Sequence, residues 1–122
     1  MSKTIVIADD EPHVLRSLEF ILKKQGYRVI TATNGEEALE KVKSHNPDLV
    51  FLDIQMPKMD GNTVLRKLRE ESEYQSLYIV MITAKGQEVD RLNSLESGAN
   101  EYITKPYSPR KLVSRVQEIL GE

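Results

Sequence analysis

Short apolar, β-branched runs alternate along this chain with longer stretches whose apolar positions recur at helical spacing. The first run, Thr4–Ala8, is apolar on both faces, as strands buried inside a parallel sheet are. Val14, Leu15, Leu18, Ile21 and Leu22 then share one helical face. Pro12 suits the first turn of that helix, Asp10 stands where an N-cap would, and Gly26 ends it. Tyr27–Ala32 reads as a second strand. Asn34-Gly35 turns the chain into a helix marked by Ala38, Leu39 and Val42, which stops near Asn46-Pro47. Leu49–Leu52 is a third, uniformly apolar strand. The loop Asp53–Gly61 leads to a helix carrying Val64, Leu65 and Leu68. Leu77–Ile82 predicts a fourth strand, and Gln87–Ser97 a helix through Val89, Leu92 and Leu95, closed by Gly98. Tyr102-Ile103 is the heart of a short fifth strand. Ser108-Pro109 caps and opens a last helix with apolar Leu112, Val113, Val116, Ile119 and Leu120.

Such alternation predicts an α/β fold: a five-stranded parallel sheet with helices on both faces and right-handed crossovers. No linker or low-complexity stretch divides the 122 residues. The expectation is one domain over 1–122, with nothing left over for an effector domain. Composition narrows the function classes. Cysteine is absent, which excludes a disulfide framework and a thiolate metal site. Seventeen basic against 19 acidic residues give a net charge of -2, without the basic excess of a nucleic-acid binder. The N-terminal apolar run Ile5-Val6-Ile7-Ala8 is too short for a signal peptide or a membrane span, so a cytoplasmic protein is expected.

In parallel α/β sheets, sites form beyond the carboxyl ends of the strands, where strand order reverses. Asp9, Asp10 and Glu11 follow strand one, Asp53 follows strand three, Thr83 and Ala84 follow strand four, and Lys105 and Pro106 follow strand five. Singly, an aspartate there is a cap or turn residue and a lysine is solvated. Their convergence on one sheet edge points further. Clustered carboxylates repel one another unless a cation sits among them. Mg²⁺, with Mn²⁺ as a substitute, suits carboxylates, waters and a phosphate oxygen. No histidine or cysteine is placed for zinc or copper, since His13 and His45 fall on helix surfaces. A metal, an amine and a hydroxyl together suit a phosphoryl group. Asp53 would lie between the Asp9/Asp10 pair and the Thr83/Lys105 pair in a flavodoxin-like strand order, 2-1-3-4-5. That makes it the best-placed nucleophile.

The segments Ile7-Ala8-Asp9-Asp10-Glu11, Asp53-Ile54-Gln55-Met56-Pro57-Lys58-Met59-Asp60-Gly61, Ile82-Thr83-Ala84 and Lys105-Pro106 resemble the receiver domains of bacterial two-component response regulators. The resemblance covers essentially the whole chain. It implies a (βα)5 domain phosphorylated on Asp53 by a sensor histidine kinase or a histidine phosphotransfer protein. Asp10 and Asp53 would hold Mg²⁺ through their side chains, Gln55 through its backbone carbonyl and Asp9 through a metal-bound water. Lys105 would pair with phosphoryl oxygens, and its bond to Pro106 would be cis. Thr83 would shift toward the phosphoryl group and Tyr102 would be the switch aromatic. Ala84 would leave the mouth of the site open, while Gln55 and Lys85 would flank it. Pro57, Asp60 and Gly61 would shape the loop. On this reading the chain is a switch rather than an enzyme, catalysing only its own phosphorylation and dephosphorylation.

The stretch from Gly98 to Pro109 also resembles receivers of winged-helix transcription factors, which dimerise through the fourth helix, fifth strand and last helix. Arg91, Glu101 and Arg115 fit the charge pairs of that face. Asn100 and Lys111 stand where acids are usual, so any homodimer there is expected to be weak. Two rival readings share the fold. A flavodoxin-like cofactor domain would need a hydroxyl- or glycine-rich phosphate loop, where this chain has Asp9-Asp10-Glu11-Pro12. A non-phosphorylated interaction module could keep the acid cluster without turnover.

Overall fold

The computed structural model describes residues 2–84 and 98–121. Five parallel strands form one sheet in the order β2-β1-β3-β4-β5. They are β1 (Thr4–Ala8), β2 (Arg28–Ala32), β3 (Leu49–Asp53), β4 (Tyr78–Ala84) and β5 (Glu101–Lys105). The helices are α1 (Pro12–Lys24), α2 (Gly35–His45), α3 (Gly61–Arg69) and α4 (Pro109–Leu120), with a short 3-10 turn at Ser72–Tyr74. The helix expected at 87–97, with Lys85 and Arg91, lies outside the described residues.

Strand side chains alternate between two layers, which is why the central strands read as unbroken apolar runs. Val6, Val50, Leu52, Ile79 and Met81 face Ala38 and Val42 of α2 and Val64, Leu65 and Leu68 of α3. Ile5, Ile7, Leu49, Phe51, Val80 and Ile82 face Leu15, Leu18 and Leu22 of α1 and Leu112 and Val116 of α4. Each described helix turns the stripe that its spacing predicts toward the sheet, burying its central residues.

Local chemistry sets the helix starts. Asn34 caps α2 by accepting from Glu37 N at 2.9 Å, and the Glu37 carboxylate in turn accepts from Thr33 N at 2.6 Å. Asp60 caps α3 through Thr63 N at 2.8 Å, and Ser108 caps α4 through Lys111 N at 3.4 Å. The expected cap of α1 is corrected. Pro12 occupies the first helical position, which puts Glu11, and not Asp10, at the cap, and the Glu11 side chain makes no capping bond.

Strand register decides what meets at the carboxyl edge. Ala8 pairs with Leu52, Asp53 with Ile82, Thr83 with Thr104 and Ala84 with Lys105. Asp53, Thr83 and Lys105 thus belong to strand ends, where the ladder holds their backbones, and do not follow the strands as the sequence predicts. Among the described residues, no helix is long and apolar enough to cross a membrane.

Candidate functional site

Asp53 ends β3 and is nearly buried. Its Oδ1 accepts from the backbone N–H of Gln55 at 3.2 Å, and its Oδ2 accepts from Lys105 Nζ at 3.1 Å. Asp9, one residue past β1, is fully buried. Its Oδ1 accepts from Glu11 N at 3.0 Å, and its Oδ2 lies 3.0 Å from Lys105 Nζ. A third carboxylate, Glu11, meets the same ammonium at 3.1 Å. Lys105 therefore reaches back from the end of β5 into a cluster of negative charge. Burial works against its charge, but the carboxylates of Asp9, Glu11 and Asp53 outweigh it and hold the ammonium above the usual lysine range.

Asp53 feels the opposite balance. Burial and the nearby Asp9 charge push its carboxyl up to about 6, against the pull of Lys105 and the Gln55 N–H. One lysine does not offset the repulsion among these acids. Asp10 is exposed, and one carboxylate oxygen from each of Asp9, Asp10 and Asp53 lies within 4.8 Å of the others. An all-oxygen set with this much unbalanced charge fits a hard divalent cation such as Mg²⁺. Gln55 is exposed and lines a groove with Asp10, Pro57, Asp60 and Asn62 on that side.

The loop after β3 holds Asp53 by close backbone approach. Gly61 N donates to Ile54 O at 2.8 Å, and a Cβ on Gly61 would lie 2.4 Å from the Asp53 carbonyl oxygen. Gly35 accepts the other side of the loop, where a Cβ would lie 1.8 Å from Met59 O. Pro57 O accepts from Met59 N at 2.7 Å, closing a tight turn about Lys58.

Thr83 is buried near the end of β4, one residue past Ile82, the register partner of Asp53, and Ala84 follows it opposite Lys105. Tyr102 is half-buried and packs against the cluster that faces α2 and α3. The Lys105-Pro106 bond is cis, as expected. His13 is exposed as predicted, whereas His45 is half-buried, its Nδ1 lying 3.1 Å from Lys41 O.

Sequence reasoning did not find the partners of several residues. Glu101 and Arg115, expected to serve a dimer face, pair within the chain, with Arg115 Nε donating to Glu101 Oε1 at 2.8 Å. Tyr78 donates its hydroxyl to Glu101 and accepts from Arg115 at 3.2 Å. Arg91, the third residue of that face, lies outside the described residues. Asn100 is also occupied. Its Oδ1 accepts from Ile79 N at 2.8 Å and from Arg69 at 2.9 Å.

A five-stranded parallel sheet that gathers an aspartate trio, a threonine and a lysine at its carboxyl edge defines a phosphoacceptor signalling fold. The chain belongs to the response regulator receiver domain family, whose pattern matches residues 5–117. It is 45% identical over 120 residues to the alkaline phosphatase synthesis transcriptional regulatory protein PhoP of Bacillus subtilis, a match covering 98% of this chain and 49% of that protein. The chain spans about half the length of the curated relatives it matches. A CheY-like receiver domain protein from Methanospirillum hungatei superposes with a TM-score of 0.91 at 32% identity, over 99% of this chain and 95% of that one. The receiver domain of the sensor histidine kinase PA1611 from Pseudomonas aeruginosa superposes with a TM-score of 0.88 at 27% identity, over 100% of both chains. That structure carries a magnesium ion in its active-site cleft.

Proposed function

We propose that this receiver domain is a switch whose phosphoacceptor is Asp53. One observation carries the reading: a nearly buried carboxylate that shares its cation with Asp9 and Glu11 and stands within metal-ligand reach of Asp9 and Asp10. An Asp53 carboxylate oxygen attacks the phosphorus of a phosphohistidine on a sensor kinase or phosphotransfer protein. The new O–P bond forms as the P–N bond breaks, and the imidazole leaves. Lys105 holds a phosphoryl oxygen and Thr83 donates a hydrogen bond to another. Mg²⁺, or Mn²⁺ in its place, would be held by Asp10, Asp53 and the Gln55 carbonyl, with Asp9 through a water, and would neutralise phosphoryl charge when bound.

The adduct biases a two-state equilibrium through Thr83 and Tyr102 and is read on the surface of β5, α4 and the segment before β5. The chain turns over no other substrate, binds no nucleic acid directly and works in the cytoplasm. A homodimer on that face would be weak, because Glu101 and Arg115 already satisfy each other within one chain.

Incubation with acetyl phosphate and Mg²⁺, read by intact mass, tests the reading. One phosphoryl group should be added to the native chain and none to Asp53→Asn or in EDTA. An unmodified native chain would refute it. Lys105→Ala should still bind Mg²⁺ by calorimetry yet lose the spectral change that follows phosphorylation. Full retention of that change would remove Lys105 from its role.

A further inference from the structure

We infer that Glu11 is a positioning residue, holding Lys105 in the resting protein and giving up its place on the ammonium to the phosphoryl group. The inference rests on Asp53 being the phosphoacceptor. An ammonium has three N–H donors. Lys105 Nζ faces three carboxylate oxygens, Asp9 Oδ2 at 3.0 Å, Glu11 Oε1 at 3.1 Å and Asp53 Oδ2 at 3.1 Å. Two of these contacts are hydrogen bonds, to Glu11 and Asp53, and the third is an ion pair with Asp9, so a phosphoryl oxygen arriving on the ammonium competes with carboxylates already placed there.

The three are not equally easy to displace. Asp9 is fully buried, so its carboxylate has no water to turn to if it gives up the ammonium. Asp53 is the group that carries the phosphoryl. The Glu11 side chain is 47% exposed, so its carboxylate can return to water at little cost. An anion leaves Lys105 as another arrives, and the ammonium keeps its ion pairing.

Glu11 is also free of competing duties. It sits at the cap of α1, but its side chain makes no capping bond. The helix start uses its backbone oxygen, which accepts from Val14 N and Leu15 N. It stands outside the Asp9, Asp10 and Asp53 trio. Its second carboxylate oxygen lies 3.9 Å from the ring of the exposed His13. Removing the Glu11 charge therefore leaves the helix start intact and acts on Lys105.

Beryllofluoride with Mg²⁺, a phosphoryl mimic read by fluorine NMR and calorimetry, provides the test. Glu11→Gln should bind it roughly two- to fivefold tighter than the native chain, the range set by an accessible ion pair. Glu11→Asp, which keeps the charge but shortens the reach, should fall in between. Mg²⁺ affinity without beryllofluoride should change little. In a Lys105→Ala background, Glu11→Gln should have no effect, an outcome that a general loss of negative charge would not give. Native chain that binds beryllofluoride while Glu11→Gln binds it equally or more weakly overturns the inference. Native chain that neither binds beryllofluoride nor accepts a phosphoryl group overturns the phosphoacceptor reading, and this inference with it.

Discussion

Asp53 and Lys105 share one electrostatic problem, and its solution makes the site reactive. A carboxyl whose folded value stands at about 6, against about 3.8 when exposed, binds its proton more tightly in the folded state. Its contribution to stability is full below the unfolded value and is lost as pH rises through the folded one. The metal-free protein should therefore lose stability between about pH 4 and 6, and Asp53→Asn should escape that loss. At pH 7, Asp53→Asn should be more stable by about 1–2 kcal/mol, because the asparagine gives up part of the Lys105 pairing while removing the repulsion. Urea unfolding in EDTA at pH 4 and pH 7 measures it, and the gap should shrink at the lower pH. An equal gap at both would mean that ionised Asp53 is not the cause. At this scale the sequence was most informative for residues defined by position in the chain: Asp9, Asp10, Asp53 and Lys105 all stand at strand ends. The contact of Glu11 with Lys105 was not legible, because it joins residues 94 positions apart through flexible side chains.

The loop between β3 and α3 is the element that sets the aspartate. Its glycine lies against the Asp53 backbone, so a methyl group at 2.4 Å from the carbonyl oxygen cannot be absorbed by a side chain swinging away. Gly61→Ala should lower stability by about 2 kcal/mol or more, and should slow phosphorylation by acetyl phosphate by displacing Asp53. A denaturation curve with a mass time course checks both, and normal phosphorylation in a destabilised variant would separate the loop from the site. From sequence, Asp60 and Gly61 were expected to shape this loop. The structure adds that Asp60 caps α3 and that Gly61 is required by close approach rather than by a left-handed backbone. Strand bounds also moved by one or two residues, since apolar patterning does not show whether a polar terminal residue stays in the ladder.

Across the whole molecule, the end of the sheet opposite the site is tied by side chains that periodicity does not reveal. Arg69 at the end of α3 donates to Gly98 O at 3.0 Å, Tyr74 O at 2.6 Å and Asn100 Oδ1 at 2.9 Å. It joins the 3-10 turn and the entry to β5 to the helix. Arg69→Ala should lower stability by about 2 kcal/mol, yet leave acetyl phosphate labelling of Asp53 in place, because the clamp and the site lie at opposite ends of the strands. Loss of labelling in a folded Arg69→Ala protein would show that the two ends are coupled. From sequence, Asn100 was notable only as a departure from an acidic pattern. The structure shows its amide oxygen accepting two hydrogen bonds, from Ile79 N and Arg69.

What periodicity and residue type settle here is local or topological. Apolar runs buried on both faces, alternating with amphipathic helices, demand a parallel sheet, and a parallel sheet gathers strand-end residues at one edge. The acids, the hydroxyl and the lysine were legible for that reason. What the tertiary structure alone decides is which long side chain meets which partner. Lys105 among three carboxylates, Arg115 on Glu101 and Tyr78, and Arg69 on Asn100 each depend on register, crossover and rotamer together, and no spacing along the chain encodes those.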